Sequence, residues 1–216
     1  MAGRKRDRPN TGKRRGRAPR PTGGATVGLR IVGGRFRGRK LHYSGDPRVR
    51  PMKDRLREAV FNLVGPAVKD MHAVDLFAGT GALALEALSR GAGRATLIEQ
   101  HVPTAAIIRR NVADLEAEPL CDVVTANVFL WAKRRPPLGP VPWLVFSSPP
   151  YDFYVDRADE MLDLLGGLIE SAPPESLFVV ESDDRFNVGT LPNPDSWDVR
   201  RYPPAVVAIY RKPAAR

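Results

Sequence analysis

Asp75-Leu-Phe-Ala-Gly-Thr-Gly81 combines a carboxylate, a tight turn and the start of a helical pattern within seven residues. Gly79 and Gly81 lack a Cβ, so the chain can turn sharply there and come close to a ligand. The helix that follows offers unpaired N–H groups and the positive end of its dipole to polar or negative ligand groups. A second acid, Glu99, ends the apolar run Ala95-Thr-Leu-Ile-Glu99, 18 positions after Gly81. At the tip of a second strand, such an acid accepts hydrogen bonds from both hydroxyls of a ribose. An adenosine-containing cofactor is the direct reading. The pattern does not choose between NAD and S-adenosylmethionine, and a lone Gly-x-Gly also suits a purely structural turn.

A third group separates the two. Val145-Phe-Ser-Ser-Pro-Pro-Tyr151 ends an apolar segment in two prolines and an aromatic ring. The prolines stop the strand and stiffen the backbone, and their missing N–H groups leave carbonyls available as acceptors. Tyr151 offers a flat face for a nucleobase, worth roughly 1–3 kcal/mol when stacked. A rigid carbonyl at Pro149, a hydroxyl at Ser148 and a ring at Tyr151 suit a planar amine. A Pro-Pro loop with a packed tyrosine is the plainer alternative.

These groups need an open α/β sheet to bring them together. His72–Phe77 reads as a buried parallel strand and Ala82–Arg90 as a helix with apolar Leu83, Leu85, Ala87 and Leu88. Before them, Asp54–Leu63 reads as a helix; after them, Pro103–Leu115 reads as a helix and Cys121–Thr125 as a strand. Val141–Phe146 continues as a strand, Asp156–Glu170 as a helix and Ser176–Glu181 as a strand. Val199–Tyr202 and Ala205–Arg211, split by Pro203-Pro204, suit an antiparallel pair at the sheet edge. Alternating strands and helices followed by two successive strands predict a doubly wound sheet with an antiparallel end.

Charge is concentrated at one end. Residues 1–53 hold 17 Lys and Arg against Asp7 and Asp46, a net +15, while the remainder carries −5 of the overall +10. Such asymmetry suits a polyanion partner. Residues 1–26 have almost nothing to bury and read as a disordered basic tail. Residues 27–49 read as a basic β-hairpin turning at Gly33-Gly34, with Arg35, Arg37 and Arg39 at period two and Lys40 beside them. Interleaved with Phe36 and Tyr43, this face favours RNA. Residues 50–216 form the remaining domain. The lone Cys121 excludes a disulfide framework, and His42, His72 and His101 are not spaced as metal ligands, so no metal is expected. With no spanning apolar run and no signal-like segment, a cytoplasmic location is expected.

Arg30-Ile-Val-Gly-Gly-Arg-Phe-Arg-Gly-Arg-Lys-Leu41, Arg50-Pro-Met-Lys-Asp-Arg-Leu-Arg-Glu-Ala-Val-Phe-Asn62, Asp75 through Gly91, and Pro149-Pro-Tyr151 resemble the RsmD-type methyltransferases in order and spacing. These modify the exocyclic N2 of a guanine in bacterial small-subunit ribosomal RNA. The resemblance spans about residues 29–211. It implies a class I, Rossmann-like S-adenosylmethionine-dependent methyltransferase acting on ribosomal RNA, either naked or in a partly assembled subunit. It also implies that Asp75, Phe77, Gly79 and Gly81 line the methionine portion, with Glu99 on the ribose and Asn127 and the Val128 backbone on the adenine edge. Arg35, Arg37, Arg39 and Lys40 would hold phosphates, and Tyr151 would stack on a flipped guanine. In one respect the chain departs from the family, which has Asp or Asn before Pro-Pro where this sequence has Ser148. A hydroxyl is neutral and loses the charge assistance that roughly doubles a hydrogen bond's strength. Three activities remain open: a guanine-N2 methyltransferase, a weakly catalytic RNA-binding assembly protein of this fold, or a methyltransferase for an adenine N6 or protein amine.

Overall fold

The computed structural model describes residues 28–46 and 49–214; the tail expected over residues 1–26 lies outside them. The chain forms α1 (Asp54–Val64), β1 (His72–Asp75), α2 (Ala82–Ser89), β2 (Arg94–Glu99), α3 (Val102–Asp114) and β3 (Cys121–Thr125). Then come α4 (Val128–Lys133), β4 (Trp143–Ser147), α5 (Phe153–Asp156), α6 (Ala158–Ser171) and β5 (Leu177–Asp183). Two edge strands, β6 (Trp197–Tyr202) and β7 (Ala205–Arg211), close the fold.

All seven strands form one sheet in the order β3-β2-β1-β4-β5-β7-β6. β3, β2, β1, β4 and β5 run parallel, whereas β7 is antiparallel to both β5 and β6. The chain winds outward from β1 through β2 to β3, then crosses back to place β4 on the other side of β1. That reversal opens a crevice at the carboxyl ends of β1 and β4, where ligands bind in sheets of this kind.

Period-two alternation explains why both sheet faces are covered. Leu144 and Phe146 of β4 enter the core beneath α1 to α3, with Val60, Phe61, Leu85 and Ile108. Val145 between them enters the opposite core, with Leu164, Leu165 and Leu168 of α6. Phe178 and Val180 of β5 point the same way as Val145, while Leu177 and Val179 join Phe146. A strand buried on both sides reads as a continuous apolar run, as β4 and β5 do. Among the described residues no helix is long and apolar enough to cross a membrane.

The basic hairpin differs from its predicted form. Its two limbs meet in a single bridge, Arg30 opposite Lys40, flanked by Ile31 N–H to Arg39 O at 2.9 Å and Leu41 N–H to Leu29 O at 2.8 Å. The reversal lies at residues 34–38, not at Gly33-Gly34, so Arg35, Arg37 and Arg39 do not share a strand face. Tertiary docking overrides the local turn signal. Val32 and Gly33 donate their N–H groups to the Glu86 carboxylate at 2.8 and 2.7 Å, and Arg35 N–H bonds Ser89 O at 2.8 Å. A Cβ on Gly34 (φ 73°) would lie 1.9 Å from Ser89 O, so only glycine allows the strap this close to α2. Leu29, Ile31 and Leu41 are buried in the domain's own core.

Other elements also differ from the sequence reading. The region read as one helix from Asp156 breaks at Arg157 (φ −134°, ψ 34°) into α5 and α6. β4 starts at Trp143, after Pro142. The helix α4 has no clear apolar periodicity and was not anticipated; the Asn127 side chain caps it by accepting from the N–H groups of Phe129 and Leu130.

Candidate active site

A cleft of about 1350 Å³ opens at the carboxyl ends of β1, β2, β4 and β5, walled on one side by Asp46, residues 49–53 and the first turns of α1. Asp75, Phe77, Gly79, Glu99, Asn127, Val128, Ser148, Pro149 and Tyr151, all assigned from sequence to cofactor or catalysis, line it. Gly81 does not. It caps α2 in the left-handed region (φ 77°), and a Cβ there would meet Leu97 at 3.1 Å and Ile108 at 3.2 Å. Gly81 therefore allows α2 to pack closely on the sheet.

Asp75 is only 1% exposed. The nearby backbone N–H groups of Phe77 and Ala84 favour its ionised form. Burial nonetheless pushes its pKa up to about 7, with the neighbouring Glu99 adding to the shift. Its Oδ1 is buried and has no hydrogen-bond partner among the described residues. An orphaned carboxylate oxygen beside a cleft suits a cationic or N–H-bearing ligand group.

Glu99 turns back over the glycine turn. Oε2 accepts from Gly79 N–H at 3.0 Å and Oε1 from His101 N–H at 2.7 Å, which fixes the carboxylate at the cleft wall. Each oxygen retains a lone pair, so a pair of hydroxyls can still be bound. Asn127 commits its Oδ1 to the α4 cap and donates Nδ2 to Gln100 at 3.3 Å. What it offers a ligand is the second Nδ2 hydrogen, alongside the Val128 N–H in the first turn of α4. An aromatic wall stands nearby. The rings of Phe77 and Phe153 meet edge to face at 5.8 Å, and Phe129 stacks on Phe153 at 6.5 Å under the Arg157 guanidinium. Such a wall suits a planar heterocycle.

On the other side of the cleft the Pro-Pro turn leaves β4. The Pro149 carbonyl accepts no hydrogen bond from the described residues, while Pro150 O accepts from Phe153 N–H at 2.9 Å. Ser148 donates its hydroxyl to Oε2 of Glu181, and Tyr151 donates to Oε1 at 2.9 Å. Burial, followed by the Glu181 charge, raises the Tyr151 pKa, so its hydroxyl stays protonated. The sequence reading missed Glu181. Its signal was a carboxylate ending the apolar run Leu177-Phe-Val-Val180.

The basic residues divide into two groups. Arg35, Arg37, Arg39 and Lys40 do not line the cleft. Arg35 lies over the Phe36 ring and Arg39 bonds Asp114 O at the end of α3. This tip docks at the carboxyl end of α2, about 12 Å from the glycine turn for an eight-residue helix. Instead Arg50, Lys53, Arg55 and Arg185 rim the cleft. The first three fall within the Arg50–Asn62 motif, whose charges the sequence reading did not assign.

The family model of Conserved hypothetical protein 95 matches residues 29–211. Ribosomal RNA small subunit methyltransferase D of Escherichia coli is 37% identical over 186 residues, covering 85% of this chain and 88% of that protein. The protein of the same name from Haemophilus influenzae is 29% identical over 85% of this chain and 92% of its own length. The solved structure of yhhF from Escherichia coli superposes with a TM-score of 0.72 at 32% identity, over 87% of this chain and 99% of that one. A 16S ribosomal RNA guanine-N2 methyltransferase of Thermus thermophilus, RsmC, solved with AdoMet and guanosine, shares the fold at a TM-score of 0.64 and 19% identity. It covers 86% of this chain and 49% of that one. With more than four-fifths of its length matched by the family model, this chain belongs to the Conserved hypothetical protein 95 family, that of the RsmD-type methyltransferases.

Proposed function

We propose that this protein transfers a methyl group from S-adenosylmethionine to the exocyclic N2 amine of a guanine in small-subunit ribosomal RNA. The observation that carries this reading is the joining, in one cleft, of the orphaned Asp75 carboxylate, Glu99 and the Ser148-Pro-Pro-Tyr151 turn. The names of its relatives, ribosomal RNA small subunit methyltransferases, support the substrate class.

S-adenosylmethionine supplies an electrophilic methyl group on a sulfonium sulfur. Asp75 holds the ammonium of its methionine portion, Glu99 the ribose hydroxyls, and Asn127 Nδ2 with the Val128 N–H the adenine edge. Tyr151 stacks on the guanine. A guanine N2 is a poor nucleophile because its lone pair is delocalised into the ring. The Pro149 carbonyl and Ser148 Oγ accept from its N–H groups, returning density to nitrogen and aiming the lone pair. The chain contributes positioning and fixed dipoles rather than a covalent step.

Arg50, Lys53 and Arg55 hold phosphates flanking the flipped base, and Arg35, Arg37, Arg39 and Lys40 reach a more distant stretch of backbone. Each duplex phosphate contact removed lowers the slope of log K against log salt by about 0.9. Replacing Arg50, Lys53 and Arg55 by Gln therefore lowers the slope by about 2–3 and reduces kcat as well as affinity. Replacing the tip quartet lowers the slope but raises KM with kcat unchanged. Equal turnover after both replacements would identify a substrate other than RNA.

The deciding experiment incubates the protein with labelled S-adenosylmethionine and small ribosomal subunits lacking base methylation, then identifies the labelled nucleoside. N2-methylguanosine is the expected product. Label in N6-methyladenosine or in protein overturns the guanine assignment, and cofactor binding without transfer identifies an assembly protein of this fold.

A further inference from the structure

We infer that Glu181 supplies the negative charge that Ser148, in place of Asp or Asn, lacks, making Ser148 and Glu181 a two-residue acceptor for the substrate amine. This inference rests on the guanine-N2 reading.

Sheet register makes the pairing. Ser147 and Val180 are partners in the parallel β4–β5 ladder, so the next residues along each strand, Ser148 and Glu181, are brought side by side at the cleft. Glu181 is 6% exposed, and a carboxylate that dry is costly to bury unless its oxygens are hydrogen-bonded. Its partners are the hydroxyls of Ser148 and Tyr151, and no cation pairs with it among the described residues. Arg185, at the cleft rim, is engaged by Asp152 and Asp183.

With its proton committed to Glu181, Ser148 Oγ turns only lone pairs toward the cleft. It is then an acceptor alone, polarised by the carboxylate behind it, and does through two residues what one Asp does directly. As the nitrogen–carbon bond forms, the carbon–sulfur bond breaks and its electron pair stays on sulfur. The surplus amine proton passes to Ser148 Oγ while the hydroxyl proton moves to Oε2 of Glu181, which releases it to water. The same carboxylate, through Oε1, holds the Tyr151 ring in place for stacking. Glu181 is thus a positioning residue that also receives a proton, and it acts on the substrate through Ser148.

Charge and shape are separated by two substitutions. Glu181→Gln keeps the shape and loses the charge; Glu181→Asp keeps the charge one methylene further back. On the full chain with undermethylated small subunits, we expect Glu181→Gln to lower kcat about 30-fold with KM for RNA and cofactor affinity within about twofold. Glu181→Asp should retain more kcat than Glu181→Gln; the reverse order, or unchanged kcat in Glu181→Gln, overturns the inference. Ser148→Asp supplies a second test independent of turnover. Beside Glu181 it sets two carboxylates in contact and lowers the melting temperature of the ligand-free protein, and Ser148→Asp with Glu181→Gln recovers both melting temperature and kcat. Additive effects of the two changes would overturn the inference. The labelled nucleoside is a separate output of the same assay. Label in anything but N2-methylguanosine overturns the guanine reading and this inference with it, whereas N2-methylguanosine with insensitive Glu181 variants overturns this inference alone.

Discussion

Replacing Glu86 by Ala destabilises the protein by about 3–5 kcal/mol, the range found when a buried ion pair loses one partner. Glu86 sits on α2 with no exposed surface, and so does Arg57 on α1. Their side chains approach at 3.6 Å, and Arg57 Nε has no hydrogen bond in the structure. The other Arg57 nitrogens are taken by Met52 O, Arg30 O and Asp54. Glu86 also accepts from Arg90 Nε at 2.8 Å and from the N–H groups of Val32 and Gly33. Deleting its carboxylate leaves the buried Arg57 guanidinium with Asp54 as its one remaining acidic partner among the described residues, and leaves two strap amides without acceptors, and both losses contribute to that range. Denaturant unfolding should show a large drop in midpoint at nearly unchanged m-value, with amide exchange at Val32 and Gly33 accelerated beyond the global change. A loss below 1 kcal/mol would mean that the strap is held by Leu29, Ile31 and Leu41 alone. Because α1, which carries Arg57, helps to wall the cleft, the variant should bind cofactor more weakly even where it remains folded.

The contrast between Glu86 and Glu99 shows what a sequence can reveal. Glu99 ends an apolar strand, and strand ends of a doubly wound sheet converge on one crevice, so its place at the site follows from local pattern plus topology. The same logic located Asp75, Ser148, Pro149 and Tyr151. Glu86 stands in a helix, Ala82-Leu-Ala-Leu-Glu-Ala-Leu-Ser89, whose exposed face would ordinarily carry such a residue. The strap lying across that face, with Arg57 of α1, buries it, and the strap's course depends on contacts more than 50 residues apart in sequence. Glu181 is intermediate. Its position in the fifth strand was legible, but its partnership with Ser148 depends on β4–β5 register, which composition does not encode. The basic charges were legible in number and misplaced in space: a turn expected at Gly33-Gly34 falls at residues 34–38, and the cleft rim takes its cations from Arg50 to Arg55.

Substituting Asp75 by Asn should make the ligand-free protein more stable at pH 8 while crippling it as a methyltransferase. An unfolded aspartate titrates near 3.8, and burial raises Asp75 to about 7 in the folded chain. The folded state therefore holds this proton more tightly. The stability that Asp75 contributes is full below about pH 4 and is lost as pH rises through about 7, a change of about 4 kcal/mol across the interval. Asn has no charge to bury, so Asp75→Asn should match the parent at pH 4 and gain roughly 1–3 kcal/mol at pH 8, part of the relief being offset by its own unpaired amide. Cofactor binding should follow the opposite course. In the proposed complex the ammonium of S-adenosylmethionine pairs with the ionised carboxylate at the orphaned Oδ1, so parent affinity should rise about tenfold per pH unit up to about 7 and then level off. In Asp75→Asn the affinity is about 30-fold weaker at pH 8, from the lost charge-assisted bond, and nearly independent of pH. Melting curves at pH 4 and pH 8, with calorimetric titration of the cofactor across the same range, test both halves. Loss of stability at both pH values with intact cofactor affinity would make Asp75 a cap for α2 and nothing more. Gain at pH 8 joined to loss of binding would show that the strand end is kept electrostatically uncomfortable in the free protein, and that the cofactor's own positive charge relieves it.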